Sequence, residues 1–346
     1  AAMMHQRAIC ACACVCERAK FPMTVAESMS GMSGVFHFLT SDTESSLYRN
    51  DLVRMTRDDR GNFVESEGVS TEPFELSVNN ARELPRSKSM TLHKNGFELI
   101  ESPVKDYDFL DHQDVIGGYY QDCERIVGEA TGAEVWAFDH NIRSAGGLRE
   151  KRQVKGGQDV QGPAHIVHGD YTLRSSRERL LQLTQRPSVN DTLRDQIPTG
   201  QGLIPEEVAE RALSKDGRFA IINLWRNIES TPVSTHPLAL CDGQSVEPED
   251  LVVFEIHMPD RVGENYWAKH AERHTFYSYP AMMRSEALLI KQWDSAGLLA
   301  TSNGEQSDRQ GDGPCTFSFH SAFDDPETPE NAPDRWSIEV RCMVVY

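Results

Sequence analysis

The last strand-like segment of the chain, "RWSIEVRCMVV" from Arg335 to Val345, constrains the fold more than any other stretch. Arg335, Ser337, Glu339 and Arg341 alternate with Trp336, Ile338, Val340 and Cys342. Side chains two apart on a strand share a face, so four polar groups line one side and four apolar groups the other. The apolar side packs under helices or a second sheet. The polar side faces solvent or the inside of a barrel mouth, because an ordinary core rejects unpaired charges.

A second segment, "GPAHIVHGDYT" from Gly162 to Thr172, shows the same period. Ala164, Ile166, His168, Asp170 and Thr172 fall on one face. An imidazole and a carboxylate aimed together are either a hydrogen-bonded pair or part of a metal site.

Strands dominate the second half: "RFAIINLWRNI", "SVEPEDLVVFEI", "NYWAKHAERHTFYSYP", "EALLIKQWD" and "CTFSFHSAF". Between residues 111 and 132 the apolar positions recur with helical spacing, with Asp111 or Asp114 as cap and Gly132 as stop. Shorter helices are expected in "TLRSSRERLLQLTQRP" and in "PEEVAERAL", where Pro205 stands near the start. "AGGLREKRQVKGGQDVQ" reads as a loop, and Asn95-Gly96 signals a hairpin. Many strands without βαβ alternation predict a β-rich α+β fold, a double-stranded β-helix of jelly-roll or cupin type with helical cover. No GxGxxG follows a strand, which disfavours a dinucleotide fold. Residues 1–33 are expected to be a disordered extension and 34–346 a single domain, with 34–135 as N-terminal strands and helix and 136–346 as the double-stranded β-helix core.

The net charge of −18 opposes binding to phosphate backbones or anionic membranes. No apolar run approaches the length of a membrane span. Cys10, Cys12, Cys14 and Cys16 cluster near the start, and Cys123, Cys241, Cys315 and Cys342 are scattered. Without CxxC pairs or a disulfide pattern, the expectation is a cytoplasmic protein. Cys241-Asp242 reads as a structural turn. Arg174, Arg177 and Arg179 read as a solvated helix face.

His320 in "FSFHSAFDDP" lies 150 residues after Asp170, and Arg335-x-Ser337 follows it. The order H-x-D, distal H, R-x-S resembles the 2-oxoglutarate/Fe(II) dioxygenase superfamily. More narrowly, "FDHNIR", "GPAHIVHGDYT", "FAIINLWRNI", "PVSTHPLALCDGQSVEPEDLV", "HTFYSYPAMMRSEALLIKQWDS", "FHSAFDDP" and "RWSIEVRCMVVY" are similar to the hydroxylase/desaturase family of fungal and bacterial secondary metabolism. Phe319 and Trp336 depart from residues common in that family, and neither departure removes a ligand. The resemblance implies Fe(II) on His168, Asp170 and His320, with His274 as the rival third ligand. It implies 2-oxoglutarate as cosubstrate, its far carboxylate on Arg335 and Ser337, and O₂ as oxidant.

The implied reaction is hydroxylation or desaturation of a small natural-product intermediate. Thr172, Asn223, Trp225, His140 and Arg143 are the candidates for the pocket. Neither nucleic acid nor membrane is expected as a partner, and a homodimer is left open. Two rival readings are a non-catalytic cupin-like binding protein and a metal-dependent hydrolase or isomerase on the same barrel.

Overall fold

The computed structural model describes residues 32–58, 63–259 and 261–346. The expected N-terminal extension lies outside the described residues except at its end, where Met32 and Ser33 already belong to the first strand. Among the described residues the strands are β1 (Met32–Leu39), β2 (Arg54–Arg57), β3 (Phe63–Glu67), β4 (Thr71–Asn80), β5 (Phe97–Glu101), β6 (Glu134–Arg143), β7 (His168–Gly169), β8 (Phe219–Asn227), β9 (Leu238–Cys241), β10 (Leu251–His257), β11 (Val262–Ala268), β12 (Phe276–Ser278), β13 (Glu286–Asp294), β14 (His320–Ala322) and β15 (Ser337–Val345). They form two sheets. The larger runs β1-β4-β12-β9-β14-β7-β11-β10-β2-β3, and the smaller runs β5-β13-β8-β15-β6. All pairs in the smaller sheet are antiparallel. The larger sheet is mixed, with β4–β12 and β2–β10 parallel.

Period-two patterning decides which face of the smaller sheet meets what. Phe219 and Ile221 of β8 and Met343 and Val345 of β15 pack with Phe36, Tyr266, Phe276, Phe317 and Phe319 of the facing elements. These residues form the core between the sheets. Ala220, Ile222 and Leu224, with Ile338, Val340, Cys342 and Val344, pack instead against Tyr119, Cys123, Ile126 and Val127 of a covering helix. Complete burial of β8 on both faces follows from this double cover.

The covering helix spans 112–131, as its periodicity predicts. Asp111 caps it by accepting from the Gln113 N–H at 3.0 Å. Gly132 ends it in the left-handed conformation at φ 69°, where a residue without Cβ is favoured. Residues Val115–Tyr119 wind as a π-helical turn around the Gly117-Gly118 pair. Helices at Ser175–Leu183 and Glu206–Leu213 match the expected positions.

Several expectations need correction. No hairpin forms at Asn95-Gly96. Residues before it make a turn anchored by the Asn95 amide donating to Asp242 at 3.1 Å, and β5 pairs with β13 instead. Part of the expected Gly-rich loop is a short helix, Ala145–Arg149, capped by Ser144. The expected opening strand shrinks to the two residues of β7. Before it the chain is tied to β1 through single bonds around His37. After it, the Asp170 N–H leaves the ladder and donates to the Gln292 side chain at 3.0 Å.

Candidate active site between the sheets

The larger sheet brings two histidines together. β7 and β14 are antiparallel neighbours, and His168 and His320 are directly opposite in their register. Their ring centroids are 4.4 Å apart, and both side chains are buried. The His168 Nδ1–H donates to the Ile166 carbonyl at 2.8 Å, which leaves the Nε2 lone pair free. Nε2 is 3.6 Å from Asp170 Oδ1. His320 Nδ1 is buried and has no hydrogen-bond partner. Ligand-type atoms of His168, Asp170 and His320 all lie within 4.8 Å of one another. Gly169 leaves room behind the pair: a Cβ there would come within 3.0 Å of the Phe317 ring.

The smaller sheet holds the carboxylate. Asp170 Oδ2 accepts from Asn223 Nδ2 of β8 at 2.9 Å and from Arg341 Nε of β15 at 3.3 Å. Gln292 of β13 accepts its backbone N–H. Three neighbouring strands thus each give one group to Asp170. Asn223 and Arg341 are cross-strand partners in the β8–β15 register. Gln292 sits at an irregularity between Lys291 and Trp293, and a bulge re-aims the side chain it carries. Arg341 is itself fixed by Asp139 at 2.9 Å and Asn141 at 2.6 Å on β6.

The electrostatics follow from burial and these contacts. Burial pushes the His168 imidazole down to about 3, His320 adds to this, and Asp170 opposes it. Burial acts to raise the Asp170 carboxyl, but Arg341, both imidazoles and the Asn223 amide hold it below the ordinary carboxylate range. His168 is therefore a neutral imidazole beside an ionised Asp170, with one carboxylate oxygen engaged and the other turned to His168. That donor set, with its lone pairs free, fits a divalent transition ion such as Fe(II).

The inner face of the smaller sheet carries a buried cation. Arg335 is 3% exposed. Its Nη1 donates to the His236 carbonyl, while its Nε is buried and unpartnered. No carboxylate among the described residues lies within ion-pair distance of it. The guanidinium sits 5.6 Å from the Trp225 ring centroid. Burial, then repulsion by Arg143, lowers its pKa to about 9, and Glu339 offsets part of this. Arg143 also makes no ion pair among the described residues. Its Nη1 donates to the Gly162 carbonyl at 2.9 Å, and burial lowers its pKa. Ser337 and Glu339 are buried with them, and Glu339 accepts from the Asn223 amide. The polar face of the last strand is thus turned inward between the sheets.

Not every expected residue reaches this place. His140 lies on the opposite face of β6, shares a 2.8 Å hydrogen bond with Tyr120 and stacks on His112. Parity explains it, since Asp139, Asn141 and Arg143 occupy the inner face. Thr172 is committed elsewhere: its hydroxyl donates to Glu264 at 2.8 Å and accepts from the Ser175 N–H at 3.0 Å. His274 pairs with Asp250 at 2.9 Å, so His320 is the histidine brought to His168. Cys241 is a buried thiol pushed up to about 12 by burial, in keeping with a structural turn. Arg179 is not solvated, for it pairs with Asp191 at 3.0 Å over the Phe138 ring. Arg341 shares the alternating face of Arg335, so its position was legible and its bond to Asp170 was not. Gln292 carried no sequence signal, because a bulge sets its direction.

Comparison with known proteins identifies relatives over most of the chain. A family profile described as "Oxidoreductase/YMDC permease-like domain" matches residues 36–345. No helix among the described residues is long and apolar enough to cross a membrane. The chain is 30% identical over 271 residues to the alpha-ketoglutarate-dependent dioxygenase phiK of Fungal sp., covering 75% of this chain and 81% of that protein. It is 42% identical over 196 residues to an uncharacterized protein of the dcmA 3' region of Methylophilus leisingeri, covering 56% of this chain and 89% of that protein. A solved structure of the iron and alpha-ketoglutarate-dependent endoperoxidase NvfI superposes with a TM-score of 0.68 at 22% identity, covering 91% of this chain and 98% of that one. This last likeness establishes a shared fold. The chain belongs to the family of alpha-ketoglutarate-dependent dioxygenases and hydroxylase/desaturases.

Proposed function

We propose that this chain is an Fe(II)- and 2-oxoglutarate-dependent oxygenase that hydroxylates or desaturates a small secondary-metabolite intermediate. His168, Asp170 and His320 would hold the iron. Arg335 would take the far carboxylate of 2-oxoglutarate as a bidentate partner, with Ser337 beside it on the same face. When bound, iron with 2-oxoglutarate and O₂ supplies the oxidising power to cleave an unactivated C–H bond. The two facing sheets are read as a double-stranded β-helix, and residues 34–346 as one oxygenase domain. The protein is read as cytoplasmic, without nucleic-acid partners, with a homodimer open.

The chain's own residues bind, orient and exclude water. Asn223, Arg341 and Gln292 hold Asp170 so that one carboxylate oxygen stays available. The Ile166 carbonyl fixes the His168 tautomer. Trp225 backs Arg335 as an aromatic wall, and Arg143 adds a second cation at the inner face. The single observation that carries the reading is Arg335 itself. A buried guanidinium with an unpaired Nε and no carboxylate is a costly arrangement unless an anion joins it. A hydrolase or isomerase has no use for that cation.

The test is succinate formation from 2-oxoglutarate by Fe(II)-reconstituted protein, with extracts of candidate biosynthetic intermediates as primers. Turnover that depends on added iron and disappears in both His168→Ala and His320→Ala supports the reading. Equal 2-oxoglutarate consumption in wild type and both variants would sink it.

A further inference from the structure

A second trio of metal-ligand type stands apart from the first. His165 Nδ1 lies 3.5 Å from Asp324 Oδ2, and His236 Nδ1 lies 3.0 Å from Asp324 Oδ1. Each imidazole addresses a different oxygen of one carboxylate. The rings are 5.2 Å apart, and ligand-type atoms of the three residues lie within 4.8 Å of one another. The three come from separate segments: one before β7, one before β9 and one after β14.

Their backbones are fixed. The His37 N–H donates to the His165 carbonyl and the Val35 N–H to the Asp324 carbonyl, each at 3.3 Å, so β1 pins both. His236 is held in the left-handed region at φ 45°, directly before Pro237. That combination is disfavoured twice, because a non-glycine residue avoids positive φ and a residue before proline prefers extended backbone. Arg335 secures it from below by donating to its carbonyl. Strain of this kind persists only where surrounding contacts over-determine it. Here the surrounding contacts set the imidazole against Asp324.

We propose that His165, His236 and Asp324 form a second divalent-cation site of zinc-type chemistry, distinct from the inner cluster. Two imidazoles and a carboxylate supply three ligands and leave a position open to solvent. The side chains are 25%, 28% and 58% exposed, so the ion has a path in. Burial keeps the His165 imidazole below its ordinary pKa, with Asp324 opposing, and a neutral ring is the form that ligates. An ion there would clamp the segment whose carbonyl receives Arg335.

The experiment is calorimetric titration of Zn²⁺ into metal-free, full-length protein. Cys10, Cys12, Cys14 and Cys16 are replaced by serine, so that the N-terminal thiols do not compete. His168→Ala and His320→Ala remove the inner trio. This carrier is expected to bind one Zn²⁺ per chain. Adding His165→Gln or His236→Gln should weaken binding by at least about tenfold, and adding both should abolish it. Should the carrier fold poorly, the inner histidines are kept, and the stoichiometry is expected to drop from two to one in His165→Gln/His236→Gln. A carrier that binds no Zn²⁺, or a double Gln variant that binds as tightly as its parent, overturns the proposal. The oxygenase reading is judged separately, by succinate formation.

Discussion

Two arginines on opposite sides of the smaller sheet are both buried without a carboxylate partner among the described residues, and they differ in one respect. On the outer face, Arg226 donates from Nε to Tyr119 Oη at 3.0 Å. Its Nη1 reaches the carbonyls of Ser102 at 2.7 Å and Arg284 at 2.8 Å. Its Nη2 reaches Ser102 Oγ at 3.4 Å. On the inner face, Arg335 keeps one carbonyl contact and an unpartnered Nε. The first ties the covering helix and two loops to the sheet. The second keeps unspent hydrogen-bonding capacity on the inner face. Burial alone does not distinguish a structural cation from a binding one; the satisfaction of its donors does.

The contrast predicts opposite phenotypes. Arg226→Ala strips several buried carbonyls of their donor, so it should lose about 3–5 kcal/mol in urea unfolding. Retained stability in that variant would erase the distinction. Arg335→Ala should cost clearly less stability than Arg226→Ala, since it removes an incompletely paired charge with one carbonyl contact. It should raise the KM for 2-oxoglutarate by roughly 100-fold, which corresponds to about 2.7 kcal/mol. Arg341→Gln sharpens the comparison from a third position. It loosens Asp170 without removing a ligand, so Fe(II) affinity measured by chelator competition should fall about 10–100-fold.

The outer face offers the smallest effect. Burial pushes the His140 imidazole from its ordinary 6.5 down to about 4. A depressed histidine binds more protons when unfolded, so its share of stability is present near pH 7 and is lost as pH falls toward 4. Between pH 7 and pH 5 this amounts to about 2 kcal/mol. In His140→Gln the urea midpoint should depend less on pH over that interval, while 2-oxoglutarate affinity stays unchanged. A shift in cosubstrate affinity would place His140 nearer the site than the fold does.

Much of the site was legible because period-two alternation survives folding. The alternation of Arg335, Ser337, Glu339 and Arg341 gave their shared face directly, and Asn223 with Trp225 followed the same rule opposite Arg226. His140 and Arg143 differ in parity, so that rule already argued against grouping them. Distance in sequence hid the cross-strand pairing of His168 with His320, which the order of motifs in a family supplied and alternation could not. Gln292 was illegible because a bulge breaks the period where it sits. Asp170 was read as part of a longer strand, whereas side chains of the facing sheet draw it out of the ladder after two residues.

Arg335 is the proposed seat of the far carboxylate of 2-oxoglutarate. The most direct measurement is an anaerobic titration of 2-oxoglutarate into Fe(II)-loaded protein, followed through the visible absorption that arises when cosubstrate chelates the iron. Wild type should show a saturable band, and Arg335→Gln should need roughly 100-fold more 2-oxoglutarate to reach it. The same half-saturation in wild type and Arg335→Gln would contradict the account.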